Sequence, residues 1–194
     1  MFNFFLIKMK TIAKLLLSLM FVAVLLAGCK KADDPAPANE EELITDVTVT
    51  FTNQANSADV VTMTFSDSDG PDGPISGTNN ISGNLTASAT YNVVIKFENK
   101  SENPAEDVTE EVKEEGAEHQ VFFSTTGTLS FQSYTDQDAN GNPIGVTSTF
   151  GTGVAGTASL KVTLKHQPNI KTASTTVNDG ETDVEVNFTG ITIQ

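Results

Sequence analysis

Three groups of residues have the types and spacing to do chemistry. Asp136-Gln137-Asp138-Ala139-Asn140-Gly141-Asn142 sets oxygen ligands at its first, third and fifth positions and glycine at its sixth. A calcium loop uses this arrangement, with hard oxygen donors around the ion and glycine for the sharp turn. The twelfth position is Thr147 rather than a bidentate glutamate, so such a site needs oxygens from other loops. The same residues also suit a plain hairpin, because Asn140-Gly141 favours the left-handed dihedrals of a type I′ turn. A second carboxylate run, Asp67-Ser68-Asp69-Gly70-Pro71-Asp72-Gly73, offers Asp67, Asp69 and Asp72 to calcium. Gly70-Pro71 displaces its third acid, and Asp and Gly are ordinary turn residues. His119 and His166 are the only histidines, and with Glu118 they would suit zinc if the fold brought them together. Otherwise they are surface residues at strand ends.

These residues must be positioned by strands. Val47, Val49 and Phe51 alternate with Thr48, Thr50 and Thr52, and the same period of two marks Val61 to Phe65 and Tyr91 to Phe97. It returns at Leu129-Phe131, Val146 to Phe150, Leu160 to Leu164 and Val184 to Phe188, continuing to Ile191 and Ile193. Short strands at regular spacing predict a mainly β chain. The expected fold is an antiparallel β-sandwich, immunoglobulin-like or similar, of about eight or nine strands. One segment breaks the pattern. Asn103 as cap, Pro104 at the first helical position and Glu106 predict a short acidic helix through Val108 and Val112, stopped near Gly116. Val108, Val112 and Ala105 are its only packing residues, which places it at an edge or end of the sandwich. Its acids, Glu106, Asp107, Glu110, Glu111, Glu114, Glu115 and Glu118, face water or serve as a partner-binding or cation-binding face.

No nucleophile elbow, phosphate loop or spaced Ser/His/Asp set is present, so no catalytic residue is assigned and a non-enzymatic role is expected. The chain has 11 lysines, no arginine and 25 acids, for a net charge of −14. That balance argues against nucleic acid, which requires clustered basic groups. It favours solubility and attracts cations. Tryptophan is absent and the only tyrosines are Tyr91 and Tyr134, which weighs against carbohydrate binding on an aromatic sheet face.

The N-terminal part carries a different message. Lys10 and Lys14 precede an apolar run from Leu15 to Leu26, which ends at Ala27-Gly28 and the single cysteine, Cys29. A basic start, a short apolar core and small residues form a secretory signal. Leu26-Ala27-Gly28-Cys29 resembles the lipobox of bacterial lipoproteins, which implies removal of residues 1–28 and lipidation of Cys29. Met9-Lys10-Thr11 is the more natural start. Two or three acyl chains, at about 0.8 kcal/mol per buried methylene, anchor a protein that one chain would not hold. Without residues 1–28, 8 lysines face 25 acids, a net charge of −17. With Cys29 lipidated no intrachain disulfide is possible, so residues 43–194 must fold as one domain on their apolar core. Between them, residues 29–42 hold the lipidated cysteine and a proline-containing acidic tether, Lys30 to Glu42.

Lys30-Lys31 followed closely by Asp33-Asp34 resembles the surface-export signal of lipoproteins in the Bacteroidota, with Ala32 intervening. The pattern implies an outer-membrane lipoprotein displayed at the cell surface. Several segments together resemble a family of small lipoproteins from flavobacteria and relatives: Pro104-Ala105-Glu106-Asp107, Glu118-His119-Gln120-Val121-Phe122, Asp138 to Pro143, Lys165-His166-Gln167-Pro168-Asn169 and Gly180-Glu181-Thr182-Asp183-Val184. Members often carry the label "type 1 periplasmic binding fold superfamily protein". The label implies an α/β ligand-binding protein, whereas this chain predicts one short helix and has about half the length such a domain needs. No site residue is carried over from it. The expected partners are the membrane, through Cys29, and an envelope protein or polymer.

Overall fold

Alternating burial builds two antiparallel sheets. The computed structural model describes residues 43–70 and 76–194, all within the unit Glu41–Gln194. The expected signal peptide, Cys29, the tether and Asp72 lie outside the described residues. The described residues form nine strands: β1 (Asp46–Asn53), β2 (Val60–Ser66), β3 (Thr78–Ile81), β4 (Thr90–Glu98), β5 (His119–Gly127), β6 (Leu129–Tyr134), β7 (Thr147–Thr152), β8 (Gly156–His166) and β9 (Glu181–Ile193). The larger sheet runs β3-β2-β1-β4-β7-β6, and the smaller runs β5-β8-β9. The sandwich expected from the period of two is therefore the observed architecture.

Its core follows from that period. Val47, Val49 and Phe51 of β1 lie opposite Phe65, Met63 and Val61 of β2 and opposite Phe97, Ile95 and Val93 of β4. One face of the large sheet thus buries aliphatic and aromatic side chains, and the other carries threonines. The small sheet contributes Val121, Leu160, Val162, Leu164, Val184, Val186 and Phe188 to the same core. Phe150 meets Phe51 at 5.5 Å and Phe123 at 5.1 Å between ring centroids, both edge-on, so rings from both sheets interlock.

The helix begins later than expected. α1 spans Val108–Glu114, and its cap is Asp107, whose carboxylate accepts the Thr109 N–H at 3.2 Å. Asn103-Pro104 does not open it, because Glu106 is already paired with Asn99 through two backbone hydrogen bonds of 3.0 and 3.1 Å. A residue held in a β-bridge cannot also join the first helical turn. Ala105 is consequently exposed, and Thr109 packs in its place beside Val108 and Val112. The Thr109 hydroxyl accepts the Phe97 N–H at 2.9 Å and donates to the Phe97 carbonyl, which docks α1 on the end of β4. Gly116 lies just beyond, where a Cβ would come within 2.7 Å of the tip of the Ile144 side chain, so a larger residue requires Ile144 to shift. Among the described residues no helix is long and apolar enough to cross a membrane.

Candidate functional site

The Asp136–Asn142 loop joins β6 to β7, and its carboxylates are engaged by the chain itself. Asp136 accepts the Gly145 N–H at 2.8 Å and the Thr147 N–H at 2.9 Å, one on each oxygen. Asp138 accepts the Asn140 and Asn142 N–H groups on Oδ1. Its Oδ2 faces the ammonium of Lys171 at 3.2 Å, with both side chains shielded from water. The Asp138 carbonyl accepts the Gly141 N–H at 3.0 Å, and Gly141 alone takes a left-handed φ of 83°. Asn140 does not, so the expected type I′ turn is absent. Ala139 and Asn140 are instead the central pair of the hydrogen-bonded turn, and Gly141 closes it.

Lys171, in the β8–β9 connection, supplies the cation of this loop. Its Nζ donates to the Gly116 carbonyl at 2.5 Å and the His119 carbonyl at 2.8 Å, besides facing Asp138. Burial pulls its pKa below the usual lysine range, against the opposing pull of Asp138 and Asp136. Burial alone would raise the Asp138 carboxyl, but the Asn142 amide, the Lys171 ammonium and the Asn140 amide together hold it below the ordinary value. An ammonium therefore faces one of the carboxylates, Asp138, that a calcium reading of the sequence offers to the ion.

The Asp67 loop is built differently. Asp67 follows β2, its N–H donates to the Thr45 carbonyl at 2.7 Å, and its own carbonyl accepts the Gly70 N–H at 3.2 Å. This turn brings Asp69 back onto Asp67. Asp67 is only 7% exposed, and its Oδ1 is shielded from solvent without a hydrogen-bond partner among the described residues. Its pKa is raised, first by burial and then by the Asp69 carboxylate.

The histidines come together through strand register and are not surface residues. His119 and His166 are directly opposite on β5 and β8, 1% and 3% exposed, with rings stacked at 4.6 Å and 13°. They are buried because both point toward the core side of the small sheet, as Val121 and Leu164 do. A bulge between Leu164 and Lys165 adds Asp183 to β9 as an extra residue, and its Oδ2 lies 3.9 Å from His119 Nε2. Glu118 reaches His166 Nε2 at 3.5 Å. Burial lowers the His119 pKa to about 4, with the neighbouring His166 adding to the shift. Ring lone pairs lie in the ring planes, and two nearly parallel stacked planes give them no common point, so this arrangement does not converge on one zinc ion. Among the described residues no group of three or more His, Cys, Asp and Glu side chains is placed to hold a metal ion.

A groove of about 640 Å³ lies on the outer face of the small sheet, within the size range of ligand sites. Its floor is the cross-strand row Phe122, Thr163 and Glu185, with Lys161 alongside. Lys161 donates to Glu185 at 2.6 Å, which neutralises both charges at the floor. The wall is the Thr175–Asn178 segment. It is fixed from beneath by Gln167, which is fully buried and donates to the carbonyls of Thr176 and Asp179. Asp179 in turn accepts the Thr176 N–H and hydroxyl, both at 2.8 Å. Neither Lys171 nor this groove has a local signal in the sequence, because each depends on contacts between segments far apart along the chain. The Asp179-Gly180 dipeptide marks a turn but not what the turn covers. The chain matches no family model, no curated protein and no solved structure.

Proposed function

We propose that the protein is a lipid-anchored lipoprotein of the cell envelope whose sandwich is a non-enzymatic binding module. The anchor rests on Leu26-Ala27-Gly28-Cys29 and the tether after it, which together imply a diacylated cysteine at the outer membrane and display toward the cell surface. The observation that carries the binding role is the preformed groove on the small sheet, with an apolar side at Phe122 and Val177 and a charge-neutral floor at Lys161 and Glu185. A wall held by a buried glutamine needs little ordering when a ligand arrives, which favours binding. The non-enzymatic reading is supported by the use made of the reactive side chains. Asp136 and Asp138 are bonded to backbone amides and Lys171, while His119 and His166 are stacked and buried. The partner is an envelope protein or polymer rather than nucleic acid, given the net charge of −14.

Two measurements test the reading. Labelled fatty acid should enter the native chain and not Cys29→Ala, which should leave the membrane fraction; an unlabelled native chain sinks the anchor. The binding role is tested by sedimentation of the full chain with isolated envelope polymer and with outer-membrane vesicles. Phe122→Ala and Glu185→Gln should each reduce co-sedimentation, and unchanged co-sedimentation in both would exclude the groove.

A further inference from the structure

Asp67 presents a problem of buried charge in the folded chain. Its carboxylate is buried at the end of β2 beside a second carboxylate, Asp69, whose backbone N–H it accepts, and its Oδ1 has no hydrogen-bond partner among the described residues. A buried acceptor left in this way costs free energy, and adjacent like charges add to the cost. Asp138 meets the same situation with Lys171, but Asp67 forms no ion pair with a lysine or histidine among the described residues. Asp46, at the same end of the large sheet, is likewise neutralised by Lys100 at 2.9 Å.

We propose that Asp67 and Asp69 form the carboxylate half of a calcium site at the end of β2, completed by backbone carbonyl and water oxygens. The donors on offer are all oxygens, which selects a hard cation. Calcium accepts six to eight of them in irregular geometry, whereas magnesium demands a near-ideal octahedron. A divalent ion would supply the missing partner of Oδ1 and remove the repulsion within the pair. The strongly acidic surface raises the local cation concentration around it. Two carboxylates place the affinity in the weak range of extracellular modules, a dissociation constant of about 10⁻⁴–10⁻³ M. This site is separate from the groove and does not depend on the binding role proposed for it.

Calorimetric titration of calcium chloride into the full chain in detergent tests the assignment, with magnesium chloride in parallel and Glu114→Gln, on the exposed side of α1, as a control. The native chain and the control should each take up one calcium in that range, with weaker magnesium uptake. Asp67→Asn and Asp69→Asn should each lose at least tenfold in affinity. A thermal melt in chelator separates binding from folding. If the acid pair is strained without its ion, Asp67→Asn melts at or above the native midpoint in chelator and no longer responds to calcium. Should Asp67→Asn fold poorly, the exposed Asp69→Asn decides alone. No saturable uptake by the native chain at concentrations tenfold above that range, or undiminished uptake in Asp69→Asn, overturns the site.

Discussion

Two acidic loops that look alike in sequence are resolved in opposite ways. Asp136–Asn142 has the better ligand spacing, yet its carboxylates hold four backbone amides and a buried lysine, so the loop is neutralised from within. Asp67 and Asp69 have the poorer spacing, yet among the described residues the buried Oδ1 of Asp67 has neither a hydrogen-bond partner nor a lysine facing it. Acid spacing therefore states that a cation is wanted, but not whether the chain or the solvent supplies it. The deciding residue, Lys171, arrives from another connection of the sandwich.

The largest expected effect comes from removing that lysine. Lys171→Met leaves Asp138 buried and unpaired and should cost about 3–5 kcal/mol, read as a drop in the urea midpoint. Adding Asp138→Asn to it should recover part of the loss, and strict additivity would show that the two do not act as a pair. Next comes acid. His119 has a folded pKa of about 4 against an ordinary value near 6.5, so below pH 6.5 the unfolded chain takes up a proton that the folded one refuses. Stability should fall by about 3 kcal/mol between those values and then level off for this group. His119→Gln should flatten that slope, which exposes the two loops. In this background Asp138, with its lowered pKa, loses stability only as pH falls below the ordinary carboxylate range, through its folded pKa. Asp67, with its raised pKa, changes in the opposite sense. The folded chain holds its proton longer, so stability should rise as pH falls toward the ordinary carboxylate value.

Smaller effects sharpen the contrast. Asp136→Ala removes the acceptor for two amides and should cost about 1–3 kcal/mol, equally with and without calcium. A calcium-dependent loss would reverse the comparison. Smallest of all, Asp67→Asn should raise the midpoint slightly in chelator, and a fall there would show that its charge is already satisfied.

Legibility in the sequence followed the range of the interaction. Strands such as β1 and β4 could be read because burial alternates with a period fixed by local backbone geometry. The helix could be read, but its start could not. Asn103-Pro104 and Asp107 both offer a beginning, and the Asn99–Glu106 bridge selects the later one. The histidine pair illustrates the limit most directly. Both residues stood out by type, but their stacking requires the β5–β8 register, and the nearness of Asp183 requires a bulge in β9. Neither is encoded by the residues beside them. The same holds for Gln167, whose side chain shapes the groove through contacts with Thr176 and Asp179, nine and twelve residues away.

The Lys171 ammonium bonds to the segment after α1, to the first residue of β5 and to the β6–β7 loop at once. None of these segments can detach without exposing a charge, so they should open to solvent together. In native-state hydrogen exchange the amides of Asn140, Asn142, Gly145 and Thr147 should share one opening free energy with those at the start of β5, although they belong to different sheets.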